Sequence, residues 1–289
     1  MAYFAANQVG AEEVNQLLVR CFDTVRILEP STSPAPDRAY CLKTLWIRAA
    51  LWMRTVAKLD HPVHIQAMSI ANRAMVEFAV DMLLIAVDKT NESGRRLRIW
   101  SESERIKHFE NVVAHYKRKD QPVPAQFTQS EAAHLVERDA INKERVSLWA
   151  TAKNPERPRH PERWTMNNLF EDMERLDSCE VARPIIEMSI RMKLADYYRE
   201  EMKPINWSIH SGVVGLWKDD DLAILYYFMG TAAMWCADFA ILCTLVFFKN
   251  FKTHISLKEL CDTLSAINRR RTELMKDAYR KCGIPDPSN

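Results

Sequence analysis

Apolar positions along this chain recur at spacings of three and four, the period of helices with one buried face, and no alternating strand pattern interrupts them. The pattern predicts a first helix over Ala11–Leu28, broken by the proline-rich stretch from Pro30 to Pro36, and a second from Asp37 to Leu59. His61-Pro62 places proline where a third helix begins, running to about Val87. Asn91–Lys119 reads as a charge-laced helix ended by Gln121-Pro-Val-Pro124, and Thr128-Gln-Ser-Glu131 has capping-box spacing for the next, to about Ala152. After a proline-rich loop from Asn154 to Pro161, helices are expected over Thr165–Arg175 and Ser178–Lys203. Asp219-Asp-Asp221 puts negative charge at the start of a long helix to Phe248, and Ser256-Leu-Lys-Glu259 caps the last, to about Cys282. The predicted fold is all-α, a multi-helix bundle around a long apolar helix. Three parts are expected: an N-terminal helix and linker to residue 36, a helical core over 37–250, and a C-terminal amphipathic helix over 251–289, packed on the core or a partner.

From Ala223 to Phe248 the single charged side chain is Asp238. That run exceeds the about 20 residues a bilayer crossing needs. A carboxylate past its middle opposes insertion by about 2.5–3.5 kcal/mol. No second apolar segment of this length exists, so a core helix covered on all sides is the favoured reading and membrane association the alternative.

Composition narrows the class. Six glycines in 289 residues leave little material for the turns of sandwiches or the phosphate loops of doubly wound sheets. A formal charge of +2 marks neither a polyanion wrapper nor an acidic solubiliser. Seven scattered cysteines without a C-x-x-C pair fit free thiols in a reducing cytoplasm. Residues 1–10 lack the basic-then-apolar pattern of a secretion signal, so a cytoplasmic location is expected.

Two segments stand out chemically. In Asn72–Val87, Arg73, Glu77 and Asp81 are spaced by four among Met, Phe, Val and Leu and form one stripe. Carboxylates buried there are costly unless paired or protonated. Either Arg73 neutralises Glu77 and the pair pins helices together, or the stripe is a polar site with perturbed acids. The second segment runs from Asp196 through Tyr197, Tyr198 and Arg199 to Asn206, His210 and Gly212. A histidine beside a helix break, four residues after an asparagine, suits an imidazole titrating near neutrality. The expectation is that Arg73, Glu77, Asp81 and His210 share one polar pocket.

The order of R-x-x-x-E on a helix, a charged helix, Tyr-Tyr and then N-x-x-x-H resembles an uncharacterised family of bacterial helical proteins. That family is in turn similar to the HEPN superfamily of all-α dimers found in toxins, phage defence and RNA processing. The resemblance spans about Trp46 to Phe248. It implies a homodimer acting on RNA in stress or phage defence, with Asn206 and His210 matching the polar residue and histidine of the HEPN ribonucleases. Ile205 stands where those enzymes carry arginine, with Arg199 and Lys203 nearby in sequence. Arg73, Glu77, Asp81, Tyr198 and Arg199 would then line the binding pocket. Cleavage would need no metal or cofactor, because the RNA 2′-hydroxyl is the attacking group.

No metal set competes with that reading: Glu131-Ala-Ala-His134 is a single E-x-x-H, whereas a di-iron bundle needs two such helices and two further glutamates. P-loop, dinucleotide and nucleophile-elbow patterns are missing. The final helix places Leu257, Leu260, Leu264, Ile267, Leu274 and Ala278 in a packing seam interrupted by Arg271, beside a basic face including Arg269 and Arg270. An equally helical, non-catalytic interaction or scaffolding protein is the alternative to an RNA-directed one.

Overall fold

The computed structural model describes residues 2–25, 36–90, 92–125, 131–149, 161–203, 222–251 and 256–281. Among them there are ten α-helices and no strand: the protein is an all-α multi-helix bundle. The helices are α1 (Ala2–Val25), α2 (Pro36–Val56), α3 (Ile65–Val87), α4 (Glu92–Arg118), α5 (Glu131–Trp149), α6 (Leu169–Asp177), α7 (Arg183–Glu187), α8 (Leu194–Tyr197), α9 (Leu222–Asn250) and α10 (Leu257–Lys281). They form two compact units. One comprises residues 1–87 and 169–289, the other 88–168. This division does not follow the linkers at 36 and 250, because the first and last helices pack on each other inside the larger unit.

The larger unit is built around α9, which packs against α1, α2 and α3 and more lightly against α10. Its most apolar window is 94% buried, so the helix long enough to cross a membrane is here a core helix. A helix apolar on every side has no solvent face and has to be covered by neighbours all round. Each neighbour is fixed by particular contacts. On α2, the Trp46 indole stacks on Phe247 at 4.7 Å and its Nε1 donates to Thr244 Oγ1 at 3.2 Å. Arg38 donates to the Ala86 carbonyl at the end of α3 (2.8 Å) and to Asn250 Oδ1 at the end of α9 (2.9 Å). One guanidinium thus serves acceptors at two helix C-termini, where positive charge is favourable.

On α1, Tyr3 stacks on Tyr227 at 5.1 Å and shares a hydrogen bond with Thr231 at 3.2 Å. This crossing is close enough to need glycine. A Cβ on Gly230 would fall 2.9 Å from the Tyr3 ring and 3.1 Å from the Phe4 Cα. The last helix begins as its sequence predicts, with Ser256 Oγ accepting the Glu259 N–H at 3.1 Å. Its seam residues Leu260, Leu264 and Ile267 are core.

The sequence predicts one helix from Ser178 to Lys203, but the structure breaks it. The first piece, α7, stops where the Ser189 hydroxyl donates to the Ile185 and Ile186 carbonyls (3.3 and 3.2 Å), competing with the helix ladder. The second starts where both Asp177 carboxylate oxygens accept the N–H groups of Leu194 and Ala195, each at 2.9 Å. Beyond α8 the backbone widens into a π-helical turn over Tyr198–Met202, a feature common near functional sites.

The smaller unit is a hairpin of α4 and α5. Ile99, Ile106, Ile141 and Trp149 make its core, flanked by Trp100 and Leu148. Ion pairs line the seam: Arg95 and Arg98 both reach Glu144 (3.1 and 3.2 Å), and Arg105 joins Glu102 at 2.9 Å and Glu137. At the end of α4, Asp120 takes the left-handed conformation (φ 51°) and the Gln121 N–H reaches back to the Tyr116 carbonyl at 3.0 Å. This is the glycine-type helix stop made with aspartate, followed by Pro122.

The start of α4 carries a testable cap. Asp88 accepts the Ser93 N–H at 2.7 Å and the Thr90 N–H and hydroxyl at 2.8 and 2.7 Å. Burial pushes its carboxyl up, but these donors outweigh burial and hold it at about 2, below the ordinary 3.8. A lowered value means that the unfolded chain binds the proton more readily. The stabilisation is therefore complete above about pH 4 and is lost as pH falls toward 2. The carboxylate is partly exposed, so Asp88→Ala is expected to cost about 1 kcal/mol at pH 7. Urea titrations followed by helix circular dichroism at pH 7 and near the lowered value check this, with the cost shrinking at the acid end.

Candidate functional site

Arg73 and Glu77 pair as their spacing predicts, Arg73 Nε donating to Glu77 Oε1 at 3.0 Å. The pair does not lie in an apolar pocket. The two side chains are 50% and 35% exposed, and Asp81 is partly exposed as well. The buried polar residues of α3 are Ser69 and Asn72, on the face turned toward the core. The expectation of costly buried carboxylates at Glu77 and Asp81 is therefore corrected. Although α3 is apolar nearly all round, it has a solvent side, and the charged stripe occupies it.

Tyr198 and Arg199 lie on the π-helical turn, together with Phe170 of α6. The Tyr198 and Phe170 ring centroids are 5.4 Å apart, and the Arg199 guanidinium sits 4.6 Å over the Phe170 ring. Arg199 also pairs with Glu174 at 3.4 Å and Asp196 at 3.6 Å. Asn206 and His210 lie outside the described residues, so the predicted meeting of His210 with Arg73, Glu77 and Asp81 does too.

The two segments singled out in the sequence are nevertheless joined. Tyr197, wholly buried, donates its hydroxyl to Asn72 Oδ1 at 2.6 Å, across 125 residues. Asn72 Nδ2 in turn faces the Ala232 carbonyl at 3.5 Å and Cys236 Sγ at 4.0 Å on α9. Trp235 and Phe239 present ring edges to Tyr197 at 4.6 and 4.9 Å. Burial pushes the Tyr197 phenol well above its ordinary value, against the hydrogen bond to Asn72, so the phenol stays protonated and donates. Burial also pushes the Cys236 thiol up to about 12, which leaves it an inert packing group at neutral pH.

A second buried polar feature was hidden in the sequence. Asp238 of α9 accepts from Arg271 of α10 at 2.8 Å, and both side chains are under one-tenth exposed. Burial pushes the Asp238 carboxyl up, against the pull of the Arg271 charge and hydrogen bond and of the Arg191 charge. The space Arg271 occupies is left by a glycine: a Cβ on Gly10 would fall 2.8 Å from Arg271 Cδ. The lone acid of the apolar helix and the residue breaking the leucine seam thus explain each other.

Among the described residues, no three histidine, cysteine, aspartate or glutamate side chains gather as a metal site. No protein-family model, curated protein or solved structure matches the chain. What the geometry defines is an all-α bundle with two buried polar nodes and, on its surface, the Tyr198–Arg199 turn.

Proposed function

We propose that this chain is a HEPN-like helical protein that acts on RNA, with cleavage resting on His210. The supporting observation is the Asn72–Tyr197 hydrogen bond, which ties together the two segments that carry the resemblance. Arg73 adjoins Asn72 in sequence, and Tyr198 and Arg199 directly follow Tyr197, so the bond joins the stretches of chain from which these candidate pocket residues come. In this reaction the RNA 2′-hydroxyl attacks the adjacent phosphorus, the bond to the 5′ oxygen breaks, and a 2′,3′-cyclic phosphate forms. The His210 imidazole takes the 2′-hydroxyl proton or, when charged, supplies one to the departing 5′ oxygen. Ile205 in the arginine position leaves the charge on the phosphate to other cations.

The second reading is a non-catalytic interaction protein. It is favoured by the Arg73–Glu77 pair and by the engagement of Arg199 with Glu174 and Asp196, which leave these arginines already neutralised. Incubating the purified protein with total RNA beside His210→Ala separates the readings. Cyclic-phosphate-ended fragments from the wild type alone are expected, with light scattering giving twice the 33.6 kDa chain mass for a homodimer. Retention of uncleaved RNA by both proteins would reduce the function to RNA binding. Neither cleavage nor retention would leave the interaction reading.

A further inference from the structure

Between the end of α6 and the start of α8 the larger unit carries a groove of about 370 Å³, within the size range of small-ligand sites. Its apolar floor includes Ile186 and Ile190, both buried. Around it stand three cations, Arg183, Arg191 and Lys193, all exposed. Among the described residues none of the three makes an ion pair.

Two acids also line the groove. Asp177 has both carboxylate oxygens occupied by the Leu194 and Ala195 amides, and Glu187 lies four residues from both Arg183 and Arg191 without an ion pair to either. The lining therefore carries net positive charge, from guanidinium forks suited to phosphate and an ammonium, over an apolar floor. Such a surface fits a ligand with a phosphate at one end and a flat, partly apolar body at the other.

We infer that this groove binds the phosphate of a nucleotide unit, with Arg183, Arg191 and Lys193 on the phosphate and the base or sugar over Ile186 and Ile190. The unit comes either as a free mononucleotide or as part of an RNA strand. The groove is built from residues other than Asn206 and His210, and the proposal does not depend on the cleavage reading.

Titration calorimetry of the full chain with AMP, with inorganic phosphate and with a single-stranded tetranucleotide tests the assignment. AMP or the tetranucleotide is expected to bind more tightly than phosphate, and more weakly as salt rises. Arg183→Gln/Arg191→Gln is expected to weaken that binding tenfold or more, and Arg183→Gln alone severalfold. The single variant matters because Arg191 also acts on the charge of Asp238. Binding of AMP assigns the site to free nucleotides; binding of the tetranucleotide without AMP assigns it to a strand. His210→Ala should leave the AMP affinity unchanged, so loss of RNA cleavage and loss of groove binding are read separately. No binding by any of the three probes, or equal affinity in the wild type and both variants, overturns the proposal.

Discussion

Asp238→Ala is expected to destabilise the protein by about 3–5 kcal/mol. Removing the carboxylate leaves the Arg271 guanidinium charged, buried and facing a void, which is the costly way to break an internal ion pair. Its value as a pair is a separate question. Two charges taken out of water lose hydration that their mutual attraction only about repays, so replacing both, as Asp238→Leu with Arg271→Met, should restore most of the loss. Urea unfolding of the two singles and the double gives the coupling directly. Gly10→Ala adds an independent check of the geometry. Alanine normally stabilises a helix by about 1 kcal/mol over glycine. Here the new methyl would press on an arginine whose far end is fixed to Asp238, so the sign should reverse. In the background of the double replacement, Asp238→Leu with Arg271→Met, the alanine should regain its ordinary benefit. If Asp238→Ala melts like the wild type, the buried pair does not exist as described.

The same pair shows what was legible in the sequence. Both oddities were visible there: one acid in the otherwise uncharged run from Ala223 to Phe248, and one arginine in a leucine seam. Local spacing rules connect residues three or four apart and are silent about a partner 33 residues away on another helix. The helices themselves were legible because apolar periodicity and caps are local, and the Ser256 cap sits where its spacing put it. The stripe of Arg73, Glu77 and Asp81 shows the opposite failure. Its i,i+4 pairing was right, but a helix apolar nearly all round does not announce which side meets water, so burial was assigned to the wrong face. A signal for the correct face was available in Asn72. Its spacing to Val76, Ala79 and Leu83 places it on the buried side, where an amide needs a partner. The break within 178–203 was hidden because Asp177 caps amides 17 and 18 residues further along the chain.

The Asn72–Tyr197 node carries the second large effect. Tyr197→Ala is expected to cost about 3–5 kcal/mol, the range for emptying a fully buried aromatic position. The cavity would open against Trp235 and Phe239, which meet the ring edge-on. Tyr197→Phe separates packing from hydrogen bonding. The ring contacts survive, but Asn72 Oδ1 loses its donor inside the core, at about 1–3 kcal/mol. Replacing both partners, with Asn72→Leu added to Tyr197→Phe, should recover part of that loss, because no orphaned acceptor remains. Denaturant midpoints at constant m-value report these differences as stability rather than altered compactness. A Tyr197→Phe variant as stable as the wild type would mean that the 2.6 Å bond contributes nothing net. Tyr197 would then be held by ring packing against α9 alone, and the polar link on which the functional reading leans would be incidental.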